Sequence, residues 1–402
     1  MMWQQMGAQA LELGWDFYAS VILFVVLVAL AVPVWAAIGA ATITMLLVSG
    51  ALPLSLLGEK LFSGIDAFAL TAVPLFILTG DVLVRTGLSR KFLDVAEALT
   101  CWAKGGFGSA TVLVCGMFAA ISGSDAAGAA AVGRMTIDRL VESGYPRPYA
   151  CALVAAGACT GILIPPSILA ILYAVVAQQS VGELYLGSVI PGLILAGLYV
   201  IYVGTRAWLN PELGPPVPEE ERIGLKEKLL LLKDLIAPLV LVFLVLGLLF
   251  GGVATPVEAA GIGSFGAILV AMKHKVFSVA TLRDASVTTA KASAMVLWIM
   301  FGASVFVGFY ILQGGQDFIT ETILGIGLSP YAVLLLLMVL LVVLGMFLDW
   351  VGILLLAVPI FIPIVEALAP DPENQHEHAG NVYVMRSTML TSINQELENQ
   401  SL

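Results

Sequence analysis

The stretch Gly116-Met117-Phe118-Ala119-Ala120-Ile121-Ser122-Gly123 recurs as Gly345-Met346-Phe347-Leu348-Asp349-Trp350-Val351-Gly352, a fixed offset of 229 residues from Gly116 to Gly345, with four positions identical in eight. Each copy puts small or polar residues, Ser122-Gly123-Ser124-Asp125 in one and Asp349 in the other, inside sequence apolar enough for a bilayer. An unsatisfied polar group is costly there and marks a site or a pathway. Repeats whose polar breaks fall at matched positions point to a transporter.

Composition agrees. The 402 residues are 60% hydrophobic and 11% charged, with a mean hydropathy of +1.00. Uncharged runs cover residues 17–58, 148–182, 235–257 and 322–348. About 20 apolar residues cross the hydrocarbon core as a helix, and backbone groups there must bond internally. The chain therefore reads as an all-α polytopic membrane protein; a barrel would need short alternating strands, which the sequence lacks. The lipid bilayer is one expected partner and no nucleic acid is expected; the net charge of −10 points to no ligand, because in a membrane protein the distribution of charge matters more than its sum. Cys101, Cys115, Cys151 and Cys159 have neither metal-ligand spacing nor a secreted context, so they read as buried small hydrophobes. No Lys or Arg precedes the first apolar run, which is expected to act as its own insertion signal rather than as a cleaved one.

Along the chain, residues 1–66 read as an N-terminal span, bent or split at Pro33, with an amphipathic connector. A first repeat over 67–208 contains the first hairpin and a helix broken at Pro165-Pro166. A polar cytoplasmic linker, 209–233, holds Pro211, Pro215, Pro216, Pro218 and the run Glu219-Glu220-Glu221. Residues 234–368 form a second, incomplete repeat, and 369–402 a polar, atypical tail. Arg85, Arg90, Lys91 and Lys104 precede the first hairpin and Arg134, Arg139 and Arg147 follow it, so both of its ends are assigned to the cytoplasm by the positive-inside rule. The second hairpin follows a loop, 313–328, with Asp317 and Glu321 but no Lys or Arg, and so enters from outside. The expectation is a pair of inverted repeats whose re-entrant hairpins meet near the midplane, beside discontinuous helices. Two ordinary spans with a chance match are the alternative.

The chemistry is expected at the breaks. Pro165 and Pro166 remove two helical N–H groups and free carbonyls near 161–163. Hard cations take oxygen ligands, and unwound backbone beside Ser122, Ser124, Thr160 and Ser167 could provide them, with sodium as the candidate ion near Ser122, Ser124, Gly161 and Ser167. A proline kink packed by neighbours is the other reading of that pair. Asp125 or Ser124 can cap the helix that follows the hairpin tip, and a helix N-terminus there suits a carboxylate substrate. Asp349, between two apolar runs, is a candidate by default if it lies at a tip, and an interfacial residue if both arms are plain spans. Pro359 and Pro363 read as kinks.

These residues resemble the large membrane subunit of tripartite ATP-independent periplasmic (TRAP) transporters. The resemblance lies in VPLFILTGDVLVRTGLSRKF (73–92), FAAISGSDAAGAAAVG (118–133), GYPRPYACALVAAGACTGILIPPSI (144–168), VIPGL (189–193), TPVEAAGIG (255–263) and GMFLDWVGILLLAVPIFIP (345–363). It implies an elevator-type carrier in the bacterial inner membrane, driven by sodium as coupling ion and with no other cofactor. The implied cargo is small organic acids such as C4-dicarboxylates, sialic acid or sugar acids. It further implies a small four-helix membrane subunit and a periplasmic substrate-binding protein as partners. By the same resemblance Ser122, Gly123 and Ser124 form the hairpin tip facing ion and substrate, with Asp125 beginning the helix beyond it. Gly161, Pro165, Pro166 and Ser167 match the adjacent broken helix, and Asp349 matches the acidic residue of the second half. Glu258 is read as structural, at a helix start.

The tail departs from the pattern: Ser392-Ile393-Asn394 stands where a second Pro-Pro break is expected, and no apolar run after 368 is long enough to span. A truncated, frameshifted or diverged end is expected, so a non-transporting membrane subunit stays open beside the carrier, as does another ion-coupled anion transporter with paired hairpins. His376 and His378 read as a solvated loop. An intramembrane enzyme is disfavoured because the histidines, with His274, all fall in polar segments.

Overall fold

A chain that cannot bond its backbone to water must bond it to itself, and helices do so within one segment. The computed structural model describes residues 15–30, 32, 34–49, 67–85, 87–100, 102–123, 125–177, 179–215, 225–312, 315–346 and 350–368, and among them there is no strand. The α-helices are α1 (Trp15–Ala29), α2 (Val34–Ser49), α3 (Ala72–Arg85), α4 (Leu88–Thr100), α5 (Gly106–Ser122), α6 (Asp125–Glu142), α7 (Arg147–Leu163) and α8 (Ile168–Val176). They continue with α9 (Val181–Leu209), α10 (Leu225–Phe250), α11 (Pro256–Lys273), α12 (Val279–Leu312), α13 (Gly315–Gly325), α14 (Pro330–Gly345) and α15 (Trp350–Leu368). The first span is split, not merely bent, since α1 ends four residues before Pro33. The linker turns helical at Leu225, where good helix formers alternate with lysine in Leu225-Lys226-Glu227-Lys228-Leu229. The expected amphipathic connector, Cys101, Asp349 and the tail 369–402 lie outside the described residues.

Phe68–Arg85, Val181–Leu209, Pro256–Lys273 and Val279–Gly308 are each long and apolar enough to cross a membrane, and α7 with α8 makes a further span bent by 43°. Leu186, Ile190, Leu193, Leu198 and Ile201 of α9 are each more than half exposed. In water that would be a liability; against acyl chains it costs nothing.

The described residues fall into two compact units. One holds α3 to α7, the first residues of α8, α9 to α11 and the first half of α12. At its centre α5 packs on α4, α6, α7 and α9, while α3 lies along α11. Phe92 of α4 meets Phe118 of α5 edge-on at 5.4 Å. Cys115 and Cys159 are buried here as expected, whereas Cys151, on α7, is exposed. The other unit holds α1, α2, the rest of α8, the second half of α12 and α13 to α15. In it α1 packs on α2, and α15 packs on α13 and α14. Phe24 and Phe306 lie 6.2 Å apart there. Helix α15 runs on through Pro359 and Pro363.

Several helix starts are secured by side-chain caps. Thr255 and Glu258 form a capping box, in which Thr255 Oγ1 accepts the Glu258 N–H at 3.3 Å and the Glu258 carboxylate accepts the Thr255 N–H at 2.8 Å. Glu258 thus has the structural position read from its sequence. Ser329 Oγ accepts the Ala332 N–H at 3.4 Å to start α14.

Candidate functional site

The first hairpin tip forms because α5 stops at a glycine. Gly123 has φ of 64°, and its N–H donates to Ala120 O at 3.3 Å; a left-handed residue at this place is the usual helix C-terminal device. The chain re-enters helix at Asp125, which is half-buried in the first turn of α6. The two arms then run almost in backbone contact, because a Cβ on Gly128 would lie 2.7 Å from Ala119 Cβ and 2.8 Å from its N and Cα.

The broken helix lies against this hairpin. Helix α7 ends at Leu163, where the Ile164 N–H donates to Thr160 O at 3.3 Å. The peptide between Pro165 and Pro166 is cis, and α8 begins two residues later. A continuing helix would bond the carbonyls of Gly161 and Ile162 to residues 165 and 166, but prolines carry no N–H, so these two oxygens have no helical donor. Beyond the break Ser167 Oγ accepts the Ala170 N–H at 3.4 Å, and Ser167 O accepts both the Ile171 N–H at 3.4 Å and the Tyr185 O–H at 3.1 Å. The Thr160 hydroxyl donates to Gly157 O at 2.7 Å. Thr160 and Ser167 are each 1% exposed.

Small residues bring hairpin and break together. A Cβ on Gly161 would overlap Ala119 Cβ and fall 2.5 Å from Ala120 N; one on Gly157 would fall 2.7 Å from Val112 O, and one on Gly116 would overlap Thr160 Oγ1. Gly157 and Gly161, four apart, give α7 the close-approach face that membrane helices use. At the tip, a Cβ on Gly123 would lie 2.5 Å from Ile168 Cγ1. Gly123, at the turn, is therefore seated on the first residue of α8, next to Pro165, Pro166 and Ser167, while Thr160 and Gly161 back the same arm. The side chain of Ser122, and the whole of Ser124 and Asp349, lie outside the described residues.

Among the described residues no three His, Cys, Asp or Glu side chains cluster as metal ligands. The oxygens at the break are instead backbone carbonyls and hydroxyls, a neutral donor set suited to a hard monovalent cation. A small cavity with a water-sized core of about 20 Å³ lies behind Pro166, lined by Phe76, Thr79, Leu83, Leu241, Val245 and Gly263. That core is apolar, since the Thr79 hydroxyl is turned back to Leu75 O at 2.8 Å.

At its base the hairpin is tied down. Arg139 of α6 pairs with Asp94 at 2.8 Å and Glu97 at 2.5 Å on α4, and its guanidinium lies 5.7 Å from the Phe107 ring centre on α5. Tyr145 accepts the Gly108 N–H at 3.2 Å, satisfying an orphan donor in the first turn of α5. Burial pushes its phenol up to about 12, against the lowering effect of that N–H, so the hydroxyl stays protonated. Sequence reasoning did not single out Tyr185, and it read Arg139 only as a sign of topology, not as a partner of two acids. The signals were slight: a tyrosine in an otherwise apolar span, and a basic residue spaced to meet two acids on another helix.

Residues 21–393 match the family described as tripartite ATP-independent periplasmic transporter, DctM component. The chain is 33% identical over 350 residues to an isethionate TRAP transporter permease protein, DctMQ, of Oleidesulfovibrio alaskensis, covering 87% of this chain and 54% of that protein. The chain thus spans about half the length of that relative. It is 31% identical over 374 residues to the C4-dicarboxylate TRAP transporter large permease protein of Rhodobacter capsulatus, covering 88% and 83%. In fold it resembles the crystal structure of the Alcanivorax borkumensis YdaH transporter, with a TM-score of 0.56 over 96% of both chains at 17% identity.

Proposed function

The chain belongs to the DctM component family of tripartite ATP-independent periplasmic transporters, and from that premise we propose that it takes up small organic anions by coupling them to sodium. As a member of this family it is a multi-span transport permease subunit and not an enzyme. It works in a bacterial inner membrane, beside a small membrane subunit and served by a periplasmic binding protein. Isethionate and C4-dicarboxylates, named for two relatives, are both small anions and support this reading of the cargo, although another relative is named for ectoine. The exact acid is set jointly with the binding protein.

The observation that carries this function is the seating of Gly123 on Ile168, which joins the hairpin tip to a break whose Gly161 and Ile162 carbonyls have no helical donors. Carbonyls and hydroxyls there hold sodium, while the N-terminus of α6 at Asp125 offers N–H groups to a carboxylate or sulfonate. Because both ligands meet at one tip, binding of either orders the other's site, which is the thermodynamic basis of symport. Motion of the hairpin-bearing part as one body, exposing the tip to alternate faces, supplies the elevator step.

The test is uptake in proteoliposomes containing this chain with its small subunit, fed by binding protein loaded with candidate acids, with and without a sodium gradient. Uptake that needs sodium and is lost in Ser122→Ala and Asp349→Asn supports the proposal. Uptake that is equally fast in choline or potassium sinks the sodium coupling.

A further inference from the structure

Tyr185 is the largest wholly buried side chain among the described residues, and it lies on α9 against the break in α7 and α8. The Tyr185 hydroxyl stands too far out on its ring to bond back to its own helix, as Ser188 Oγ does to Tyr185 O at 3.0 Å. It donates instead across to Ser167 O at 3.1 Å. Because that oxygen also accepts the Ile171 N–H, both of its lone pairs are occupied. Ser167 is committed to starting α8 and has no carbonyl capacity left for an ion. The carbonyls of Gly161 and Ile162, across the prolines, have such capacity.

The other side of the break is held by the same helix. Gly192, two turns beyond Tyr185, lets α9 come so close that a Cβ there would lie 2.8 Å from Ile164 Cγ1 and 3.5 Å from Ile164 N and the Leu163 carbonyl carbon. Helix α9 therefore fixes the break from both ends, sterically at 163–164 and by a hydrogen bond at 167. Packing alone would be served by phenylalanine; the phenolic oxygen is used on the Ser167 peptide.

We propose that Tyr185 is a positioning residue for the coupling ion: by occupying Ser167 O it fixes the orientation of the break, so that the cation is met by the carbonyls of Gly161 and Ile162. This rests on the sodium coupling proposed above. Tyr185 does not touch the ion. Its contribution is preorganisation, which appears as ion affinity when the ordering has been done in advance.

The experiment measures sodium activation of uptake, and the melting midpoint in detergent as a function of sodium at constant ionic strength, for wild type, Tyr185→Phe and Ser188→Ala. Tyr185→Phe is expected to raise the sodium concentration for half-maximal uptake about fivefold, the change that one net hydrogen bond carries, with maximal rate little altered and the sodium-dependent melting shift displaced to the same degree. Ser188→Ala, whose hydroxyl bonds within α9, is expected to leave sodium activation unchanged. A Tyr185→Phe variant with a lower melting midpoint but the wild-type sodium constant overturns the proposal and leaves Tyr185 a packing residue. If that variant does not fold, Gly192→Ala presses on the opposite end of the same break, and an unchanged sodium constant there overturns it as well. Sodium-independent uptake by the wild type overturns the coupling itself, and is recognised because it appears without any substitution.

Discussion

Gly161 shows how little room the candidate site allows. Any side chain there meets the backbone of Ala119 and Ala120, and overpacking of this kind costs about 1–3 kcal/mol or more. Gly161→Ala is expected to lower the melting midpoint in detergent and to abolish uptake, whereas Gly187→Ala, which meets nothing within 4 Å, should leave both unchanged. At the hairpin base, Tyr145→Phe removes the acceptor of the Gly108 N–H. A loss of about 1 kcal/mol is expected from one buried donor left without a partner, measurable as a small fall in the same midpoint with uptake retained. The glycines were legible in sequence as small residues within apolar runs. What each of them excludes was not, because a contact between residues 161 and 119 has no local signature.

Among the elements, α11 and the hairpin base make different claims. Thr255→Ala removes the hydroxyl half of the capping box and should cost about 1 kcal/mol; Thr255→Ser should restore it, by thermal unfolding. Arg139→Gln breaks both ion pairs to α4, but the three side chains are 22% to 36% exposed, so screening limits the loss to about 1 kcal/mol. The expected outcome is a salt-sensitive stability difference between wild type and variant that shrinks as ionic strength rises. The hairpin and the broken helix were legible as elements because glycine, aspartate and paired proline punctuate a helix by local geometry. The helical start of α10 within the linker was obscured by its charges, which mark exposure and not loop.

For the whole molecule, sodium is expected to stabilise the folded protein against choline by about 1.4 kcal/mol at tenfold over its dissociation constant, read as a rise in melting midpoint, if the break holds the ion. The sequence by itself determined that this is a helical membrane protein, since 60% hydrophobic composition leaves no other way to satisfy the backbone in lipid. It also located the hairpin turn and the interruption at Pro165-Pro166, because both are consequences of single residues. Only the tertiary structure decided that Gly123 is seated on Ile168, that Gly161 is closed off by Ala119, and that Tyr185 takes the Ser167 carbonyl. Those contacts join segments up to 45 residues apart, from Gly123 to Ile168. Hydropathy and spacing specify which face of a helix is small or polar, while the partner of that face is fixed only by how the helices pack.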